Sequence, residues 1–357
     1  MTQTVPTHDP GNGPDPIAVK FVIKGPIRED KPWRRQFPGG EPVFGRCRFT
    51  FDPEAREYDW LIIYDELPTR GETLACPRAN TLLVTTEPPS IKVYGSAYLK
   101  QFGHVLTSQE PWALKHPGRI YTQPALRWYF GLPLTLTQEG ARTYEQIKHG
   151  PHPPKDALIA TVCSSKAMGH TLHRLRYDFT MALKQAMPEL DLFGRGIQDI
   201  TDKAEAIDRH KYHVAIENHI APHHITEKLT DAYLGGALPF YFGAPNAADY
   251  FPEDSFIPID IRKTDRAIAT IRQAIADNAF EKRQAALAEA KRRTLEEQNL
   301  FAVLAREIER LDTGQRGSDG AKLINRRVFR NRNPIGALRY LIERYTVQAK
   351  VRKATRG

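Results

Sequence analysis

The stretch YHVAIENHIAPHHITEKLTDAYLGGALPFYFGAP, residues 212–245, limits the possible fold more than any other part of the chain. It opens with a β-prone run, and residues 225–234 then place apolar side chains three or four positions apart, as in an amphipathic helix. Gly235 and Gly236 end that helix before a second apolar strand at 237–242. This order predicts a right-handed crossover in a parallel sheet, with the polar loop at the ligand-binding, carboxyl edge.

The rest of the chain repeats this alternation of apolar strands and helical runs. Further strands are predicted at 17–24, 60–64, 81–85, 103–107, 120–122, 157–163, 190–193 and near 255–260. A Pro-rich connection, KHGPHPPKD, separates two such units, and helical sequence dominates 264–311. The sequence therefore predicts an α/β protein with four segments: a disordered lead-in at 1–15, an N-terminal acceptor-side domain at 16–150, a C-terminal donor-binding domain with trailing helices at 151–312, and a basic tail at 313–357.

Composition excludes several classes of protein. No run approaches the ~18 apolar residues of a membrane-spanning helix, and the first residues lack a secretory signal pattern. Cys47, Cys76 and Cys163 are widely spaced, which favours reduced thiols in the cytoplasm over disulfides or a zinc site. The formal net charge is +9, but residues 321–357 alone carry eleven Lys or Arg against one acidic residue, Glu343. The other 320 residues are therefore close to neutral, and we expect no nucleic-acid partner for the folded body.

The order of motifs from residue 212 onward resembles the donor-binding signature of glycosyltransferase family 10, the α-1,3/4-fucosyltransferases of bacterial type. The matching pieces are Glu217-Asn218, Ile225-Thr226-Glu227-Lys228, an apolar strand ending at Gly243, and the segment 254–257. The likeness extends over roughly 157–260 and is weak in the first 150 residues. It implies a GT-B fold, in which two Rossmann-like domains face each other across a cleft, here with a helical basic extension.

A diphosphate site is expected at the predicted helix that begins near Ile225. Free backbone N–H groups and the positive end of the helix dipole attract anions there, and Lys228 adds a full charge in the first turn. The resemblance implies a donor-binding role for the motif residues. We therefore assign to the donor site Glu217, Asn218, His224, Thr226, Glu227 and Lys228. A plain alternative is that Thr226 caps the helix while Glu227 and Lys228 are solvated.

A second basic site lies in CSSKAMGHTLHRLRYDFTMALK, after the strand that ends at Cys163. Family members place a basic residue at this helix start against the donor diphosphate, and the apolar register puts Arg176 at that position. Arginine suits the role because its planar fork pairs two phosphate oxygens. Lys166 in the preceding loop is assigned as a second cation. The alternative is that these cations are ordinary surface charges.

Glu87 is the predicted general base. It follows the strand in LLVTTEPPSIKVYG and is stiffened by Pro88-Pro89. The resemblance implies a base on the acceptor-side domain, and an inverting transfer to a hydroxyl needs a carboxylate that takes the acceptor proton. Asp65-Glu66 is the rival carboxylate pair, and an exposed turn residue is the structural alternative for Glu87.

The histidines do not predict a metal. His219, His223 and His224 crowd one loop, yet the adjacent pair lacks the i, i+4 spacing of helical zinc ligands. We expect no metal or other cofactor beyond a GDP-sugar donor. His224 stands where the family commonly has Tyr before its Thr-Glu-Lys motif, and we assign it to a nucleotide contact by stacking or hydrogen bonding.

The tail contains a predicted helix at 335–351. Its apolar side is formed by Leu338, Leu341, Ile342 and Tyr345, with arginines and lysines around it. Such helices bind anionic membrane surfaces, and bacterial-type fucosyltransferases often end in comparable stretches. The alternative is a helix that packs back on the body with its charges solvated, and the two are compatible. We expect a cytoplasmic protein held at the inner face of the cell membrane.

The predicted function is inverting transfer of fucose from GDP-fucose to a hydroxyl of a glycan or lipid-linked glycan acceptor. One alternative keeps the fold and uses another nucleotide sugar such as GDP-mannose. An alternative of another class is a non-catalytic protein that binds membrane or nucleic acid through its basic tail.

Overall fold

The computed structural model describes residues 15–24, 31–125, 127–133, 140–151, 153–163, 172–318 and 320–356. Nearly all of the predicted lead-in therefore lies outside the described residues. The chain forms two α/β domains, each built on a largely parallel sheet. The Pro-rich connection, described at residues 148–151 and 153–156, links the last helix of the first domain to the first strand of the second.

The N-terminal domain is organised around a sheet with strand order β2-β3-β1-β4-β6-β7-β8, parallel except at β2–β3. Its strands, together with β5 outside this sheet, are β1 (Ile17–Ile23), β2 (Val43–Phe44), β3 (Cys47–Thr50), β4 (Trp60–Tyr64), β5 (Glu72–Thr73), β6 (Thr81–Val84), β7 (His104–Thr107) and β8 (Arg119–Tyr121). The helices of this half are α1 (Lys31–Arg34), α2 (Ser96–Leu99) and α3 (Tyr144–His149). The run WLIIY of β4 is apolar throughout because apolar side chains cover both faces of the sheet.

The C-terminal domain has the all-parallel strand order β10-β9-β11-β12-β13. Its strands are β9 (Ala157–Val162), β10 (Leu190–Phe193), β11 (His210–Ile216), β12 (Leu238–Phe242) and β13 (Ile257–Pro258). Its helices are α4 (His173–Ala186), α5 (Glu227–Leu234), α6 (Thr264–Ala276), α7 (Ala279–Lys282) and α8 (Gln284–Glu296). The parallel pairing of β11 with β12 across α5 confirms the predicted crossover unit.

Helix α9 (Leu300–Leu311) returns to the N-terminal domain. Phe301 and Leu304 are fully buried in the core beneath β1 and β4, and the Phe301 ring stacks on Phe37 with 4.1 Å between centroids. The sequence placed this helix in the C-terminal domain, and that placement is wrong. Its Ala, Glu and Arg content resembles that of the preceding helices, so pattern alone could not show which sheet its apolar face covers.

The tail also belongs to the N-terminal domain. Strand β14 (Lys322–Leu323) pairs antiparallel with β5, and α10 (Arg326–Arg332) and α11 (Pro334–Arg356) follow. One face of α11 packs through Val347 and Val351 against Val93, and Glu343 accepts a hydrogen bond of 2.8 Å from the backbone N–H of Ser96. None of the helices in the described part of the chain combines the length and apolar character that crossing a membrane requires.

The apolar side predicted for the tail helix faces outward. Its four residues, with Ile335, form an exposed stripe opposite the packed face; their exposed fractions are Ile335 82%, Leu338 62%, Leu341 57%, Ile342 58% and Tyr345 76%. Helix α11 is therefore apolar on two opposite faces, of which the body covers only one. As the alternative expected, the helix packs back on the body, but it does so through the face opposite this apolar side.

Loops after the carboxyl ends of both sheets meet at the interface between the domains. Ser108, just beyond β7, lies 3.2 Å from His224, which belongs to the loop beyond β11. This facing arrangement of two Rossmann-like domains confirms the predicted GT-B class.

Candidate active site

The donor side of the cleft is built where β11 ends and α5 begins. Thr226 has extended backbone angles, and its hydroxyl accepts from the Lys228 backbone N–H at 3.4 Å, so it caps the helix, as the alternative interpretation of this residue expected. Beneath it lies Glu217, whose carboxylate accepts from the Thr226 backbone N–H at 2.9 Å and from its hydroxyl at 2.7 Å. The Glu217 side chain is fully buried. It positions the helix start, and a direct donor contact from Glu217 stays a prediction.

Lys228 stands at the centre of a cluster of charges. Its ammonium nitrogen lies 3.2 Å from a Glu227 oxygen and 3.5 Å from a Glu217 oxygen, while 22% of its side chain stays exposed. Burial alone would lower the pKa of Lys228, but these two carboxylates raise it, so the ammonium is charged at neutral pH. Lys228 is therefore a permanent cation beside the first turn of α5.

Lys203 is a member of this cluster that the sequence did not reveal. It lies 2.8 Å from the Asp231 carboxylate and 3.4 Å from Glu227. Burial by itself would raise the pKa of Glu227, but Lys228 and Lys203 hold it well below its usual range. Lys203 precedes β11 by only seven residues, yet nothing in its sequence context separates it from an ordinary surface lysine.

Arg176 is buried in the first turn of α4 and reaches the same strand end. Its Nη1 donates to the Asn218 side-chain oxygen at 2.9 Å, and its Nε has no hydrogen-bond partner among the described residues. Because Asn218 follows Glu217, which Lys228 contacts, the structure brings Arg176 and Lys228 to one end of β11. Lys166, the other predicted cation, lies outside the described residues.

Glu87 lies across the cleft from this cluster. It follows β6 and is exposed, and the Gln109 side-chain amide donates to its backbone carbonyl at 2.8 Å. Partial burial raises the pKa of the Glu87 carboxyl, and the nearby negative charge of Asp65 adds to the effect. Lys228 lowers this pKa and Glu227 raises it. The Glu87 carboxyl is therefore within electrostatic range of the donor side.

The rival carboxylates Asp65 and Glu66 are engaged in ion pairs. Asp65 accepts from Lys92 at 2.8 Å and from the Tyr94 hydroxyl at 2.5 Å. Burial alone would raise the pKa of Asp65, but Lys92 and these hydrogen bonds lower it. Glu66 is buried 3.5 Å from Arg326. Among the described residues Glu87, unlike Asp65 and Glu66, forms no such ion pair.

The loop that contains His219, His223 and His224 contacts the N-terminal domain. His219 Nδ1 lies 3.4 Å from the Ser90 hydroxyl, and the His223 ring packs edge-on at 4.4 Å from the Tyr121 ring. His224 is 3% exposed and is covered by Ser108. Its ring is therefore enclosed at the domain interface, and the assignment of His224 to a nucleotide contact stays a prediction.

Burial lowers the pKa of His219 to about 4 and that of His224 to about 3, so both rings are neutral at pH 7. Within the described ranges, no three His, Cys, Asp or Glu side chains are grouped so as to hold a metal ion.

Residues 152–283 match the family described as glycosyltransferase family 10 (fucosyltransferase) C-term. This part of the chain, which includes α4, α5 and the end of β11, belongs to that family, and the resemblance seen in the donor motif is confirmed.

Curated relatives match part of the chain. The chain is 32% identical over 75 residues to the alpha-(1,3)-fucosyltransferase FucT of Helicobacter pylori, which covers 21% of this chain and 16% of that protein. It is 30% identical over 135 residues to the 4-galactosyl-N-acetylglucosaminide 3-alpha-L-fucosyltransferase FUT6 of Homo sapiens, with 35% and 36% covered. The matched part thus spans about a third or less of these relatives.

Solved structures resemble the chain over a greater length. A crystal structure of an alpha1,3-fucosyltransferase covers 79% of this chain and 84% of that one, at 17% identity and a TM-score of 0.49. An alpha1,3-fucosyltransferase crystallised with GDP-fucose covers 88% and 96%, at 17% identity and a TM-score of 0.45.

Proposed function

We propose that this protein is an inverting fucosyltransferase that moves fucose from GDP-fucose to a hydroxyl of a glycan acceptor. The observation that carries the proposal is the meeting of Arg176 and Lys228 at one strand end, opposite Glu87. Membership of the C-terminal domain in a fucosyltransferase family supports the choice of donor.

In the proposed reaction the acceptor oxygen attacks the anomeric carbon of fucose as the bond to the GDP oxygen breaks. Glu87 takes the proton from the attacking hydroxyl, and GDP leaves with the bonding electron pair. Arg176, Lys228 and the N–H groups at the start of α5 face the diphosphate, where negative charge grows. Cations and dipoles fixed in place before the reaction favour the transition state over the ground state. Because these groups supply the positive charge, we expect transfer to continue in EDTA.

The donor identity is tested by thermal unfolding with GDP, GDP-fucose and GDP-mannose. A ligand at ~100 times its dissociation constant stabilises the folded state by about 2.7 kcal/mol. We expect GDP and GDP-fucose to raise the melting temperature. A shift with GDP-mannose alone would favour the alternative donor, and no shift with GDP would remove the donor-site assignment.

The role of Glu87 is tested by Glu87→Gln, which keeps the shape of the side chain but cannot accept a proton. We expect this variant to bind GDP like the wild type and to lose transfer by a factor of about 10² or more. Because the pKa of Glu87 is raised, the acidic limb of the wild-type kcat/KM profile should lie above pH 4.5. Unchanged turnover would exclude Glu87 as the base.

The acceptor assayed first should be a 4-galactosyl-N-acetylglucosaminide, the class named for the human relative. Transfer to position 3 of its N-acetylglucosamine would show that this protein and the human relative use the same class of acceptor. Product analysis by NMR gives both the linkage and the anomeric configuration, and an α-linked fucose formed from the β-linked donor establishes inversion.

We also propose that the outer stripe of α11 lies on the anionic inner surface of the cell membrane. The support is the exposure of Leu338 and Tyr345, together with Arg339 and Arg344 on the same helix; each basic residue near such a surface contributes about 1 kcal/mol. The variant Leu338→Ser/Ile342→Ser should float poorly with phosphatidylglycerol vesicles but bind GDP normally. Equal flotation of variant and wild type would contradict the proposal. Loss of GDP binding as well would instead favour a protein that acts through its tail alone.

A further inference from the structure

A cleft of about 350 Å³ separates α11 from the loop that carries the proposed base. The six residues that line it are Ser90, Ile91, Arg344, Gln348, Val351 and Arg352. None of the six is acidic, so the lining carries two positive charges without a carboxylate among its own residues.

Helix α11 supplies the charged side chains of the cleft. Arg344 and Arg352 are eight residues apart, about 12 Å along the axis, with Gln348 midway between them. Both arginines are exposed, and Arg344 forms no ion pair within the part of the chain that the structure describes. An arginine fork binds phosphate or carboxylate with paired, charge-assisted hydrogen bonds. The cleft therefore suits an anionic group attached to a polar chain.

The other wall of the cleft is directly connected to the proposed reaction centre. Ser90 and Ile91 belong to the turn after Glu87, in which the Ile91 backbone N–H donates to the Pro88 carbonyl at 2.9 Å. Ser90 also touches His219 of the donor domain at 3.4 Å. The cleft thus shares the turn that follows the base and, through Ser90, contacts the loop beyond β11. Ile91, with 41% of its surface exposed, offers an apolar contact at the same place.

We propose that this cleft, made jointly by the tail helix and the base-bearing loop, is an acceptor subsite for a phosphate or carboxylate group on the glycan acceptor. Arg344 and Arg352 bind the anionic group, and Gln348 and Ser90 contact the sugar that carries it. The tail is then part of substrate recognition. This assignment rests on the proposed fucosyl transfer, because it takes the cleft as the acceptor side.

The test compares three acceptor probes in the full-length protein. They are octyl N-acetyllactosaminide, the octyl phosphodiester of the same disaccharide, and the 3′-sialylated octyl glycoside. The wild type should have a lower KM for at least one anionic probe than for the neutral one. The phosphodiester and the sialylated probe show which anion, at which end of the disaccharide, the arginines prefer.

The variant Arg344→Gln/Arg352→Gln should raise KM for the preferred anionic probe about tenfold, while kcat and KM for GDP-fucose change little. Its matched control, Arg327→Gln/Arg332→Gln, removes the same charge from exposed positions of the tail outside the cleft. Equal losses in the two variants, or equal losses for neutral and anionic probes, would overturn the subsite.

Binding of the same probes to the GDP-loaded protein, measured by calorimetry, separates the two proposals. Selective binding of an anionic probe without turnover would uphold the subsite and count against the transfer reaction. Turnover of the neutral probe with no preference for either anionic probe would support the transfer reaction and count against the subsite.

Discussion

Arg176 and Lys228 differ in how the fold holds them, although both carry the charge expected at a diphosphate site. Lys228 is held by two carboxylates that keep it protonated. Among the described residues, the buried side chain of Arg176 makes one hydrogen bond, to Asn218, and its Nε has no partner. A buried donor without a partner costs free energy, so a ligand that accepts from it gains correspondingly. Arg176 therefore has the greater capacity for a new hydrogen bond to the donor.

The first residue-scale prediction concerns Arg176→Lys. The substitution keeps the positive charge but removes the planar fork, so we expect GDP binding to weaken about tenfold or more. Isothermal titration with GDP measures the change. Arg174→Lys is the control, because Arg174 is an exposed neighbour 3.7 Å from Asp178, and it should leave the affinity unchanged. Equal affinities for all three proteins would remove Arg176 from the donor site.

The sequence identified residue types at this site better than it identified their partners. Thr226, Lys228 and Arg176 lie where the motif and helix register predicted, because helix starts and strand ends are local features. Glu217 and His224 belong to the same motif but are buried, and burial depends on what the other domain brings against them. Lys203 has no local signal, since its contact with Asp231 requires the folded sheet.

At the scale of elements, the start of α5 depends on a short polar network. The Thr226 hydroxyl accepts from the helix backbone, and both its hydroxyl and its own N–H donate to buried Glu217. This network holds the first turn of a helix that is only eight residues long.

We therefore predict that Thr226→Ala lowers the free energy of unfolding by about 1–2 kcal/mol and also weakens GDP binding. The matched control is Thr226→Ser, which keeps the hydroxyl and should lose much less of either. Urea unfolding and calorimetry with GDP provide the two readouts. An alanine variant as stable as the serine variant would show that the cap contributes little.

Long elements were predictable and very short ones were not. Strands such as β4 and β11 were found within two residues, because short apolar runs bounded by polar turn residues are typical of buried strands. The two-residue strands β2, β5 and β14 have no readable period, and they form because a neighbouring strand offers backbone partners. For α11 the helix was predicted correctly, but not which of its two apolar faces the body covers.

At the scale of the whole molecule, α9 makes the N-terminal core depend on residues far along the chain. Phe301 is fully buried there. We predict that Phe301→Ala destabilises the protein by about 3–5 kcal/mol, whereas Arg310→Ala on the exposed side of the same helix changes it by less than about 0.5 kcal/mol. Chemical unfolding followed by tryptophan fluorescence measures both, and similar values for the two variants would contradict the assigned core.

The histidine contacts between the domains predict a pH dependence of stability. His219 and His224 have pKa values lowered to about 4 and about 3, against about 6.5 in an unfolded chain. Between the folded and unfolded pKa values the unfolded chain binds more protons than the folded protein. The contribution of these histidines to the free energy of unfolding is therefore fully present above about pH 6.5 and decreases as the pH falls below that value. The slope contributed by each histidine approaches about 1.4 kcal/mol per pH unit.

The variant His219→Asn/His224→Asn should lose most of that slope between pH 6.5 and 5, as measured by urea unfolding at several pH values. His149→Asn, at an exposed position, is the control and should retain the wild-type slope. Because carboxylates titrate in all three proteins, the informative quantity is the difference in slope between the double variant and the wild type. Equal slopes in these two proteins would contradict the prediction.

The path of α9 also determines how the two domains can move. The backbone passes from one domain to the other near residue 150 and passes back between Glu296 and Leu300. A body attached at two points can rotate about the line that joins them, but it resists twisting and sliding. We therefore expect any opening for donor entry to follow one bending coordinate, with its axis through these two crossings. On such a coordinate each closure would return Glu87 to the same place relative to Arg176 and Lys228.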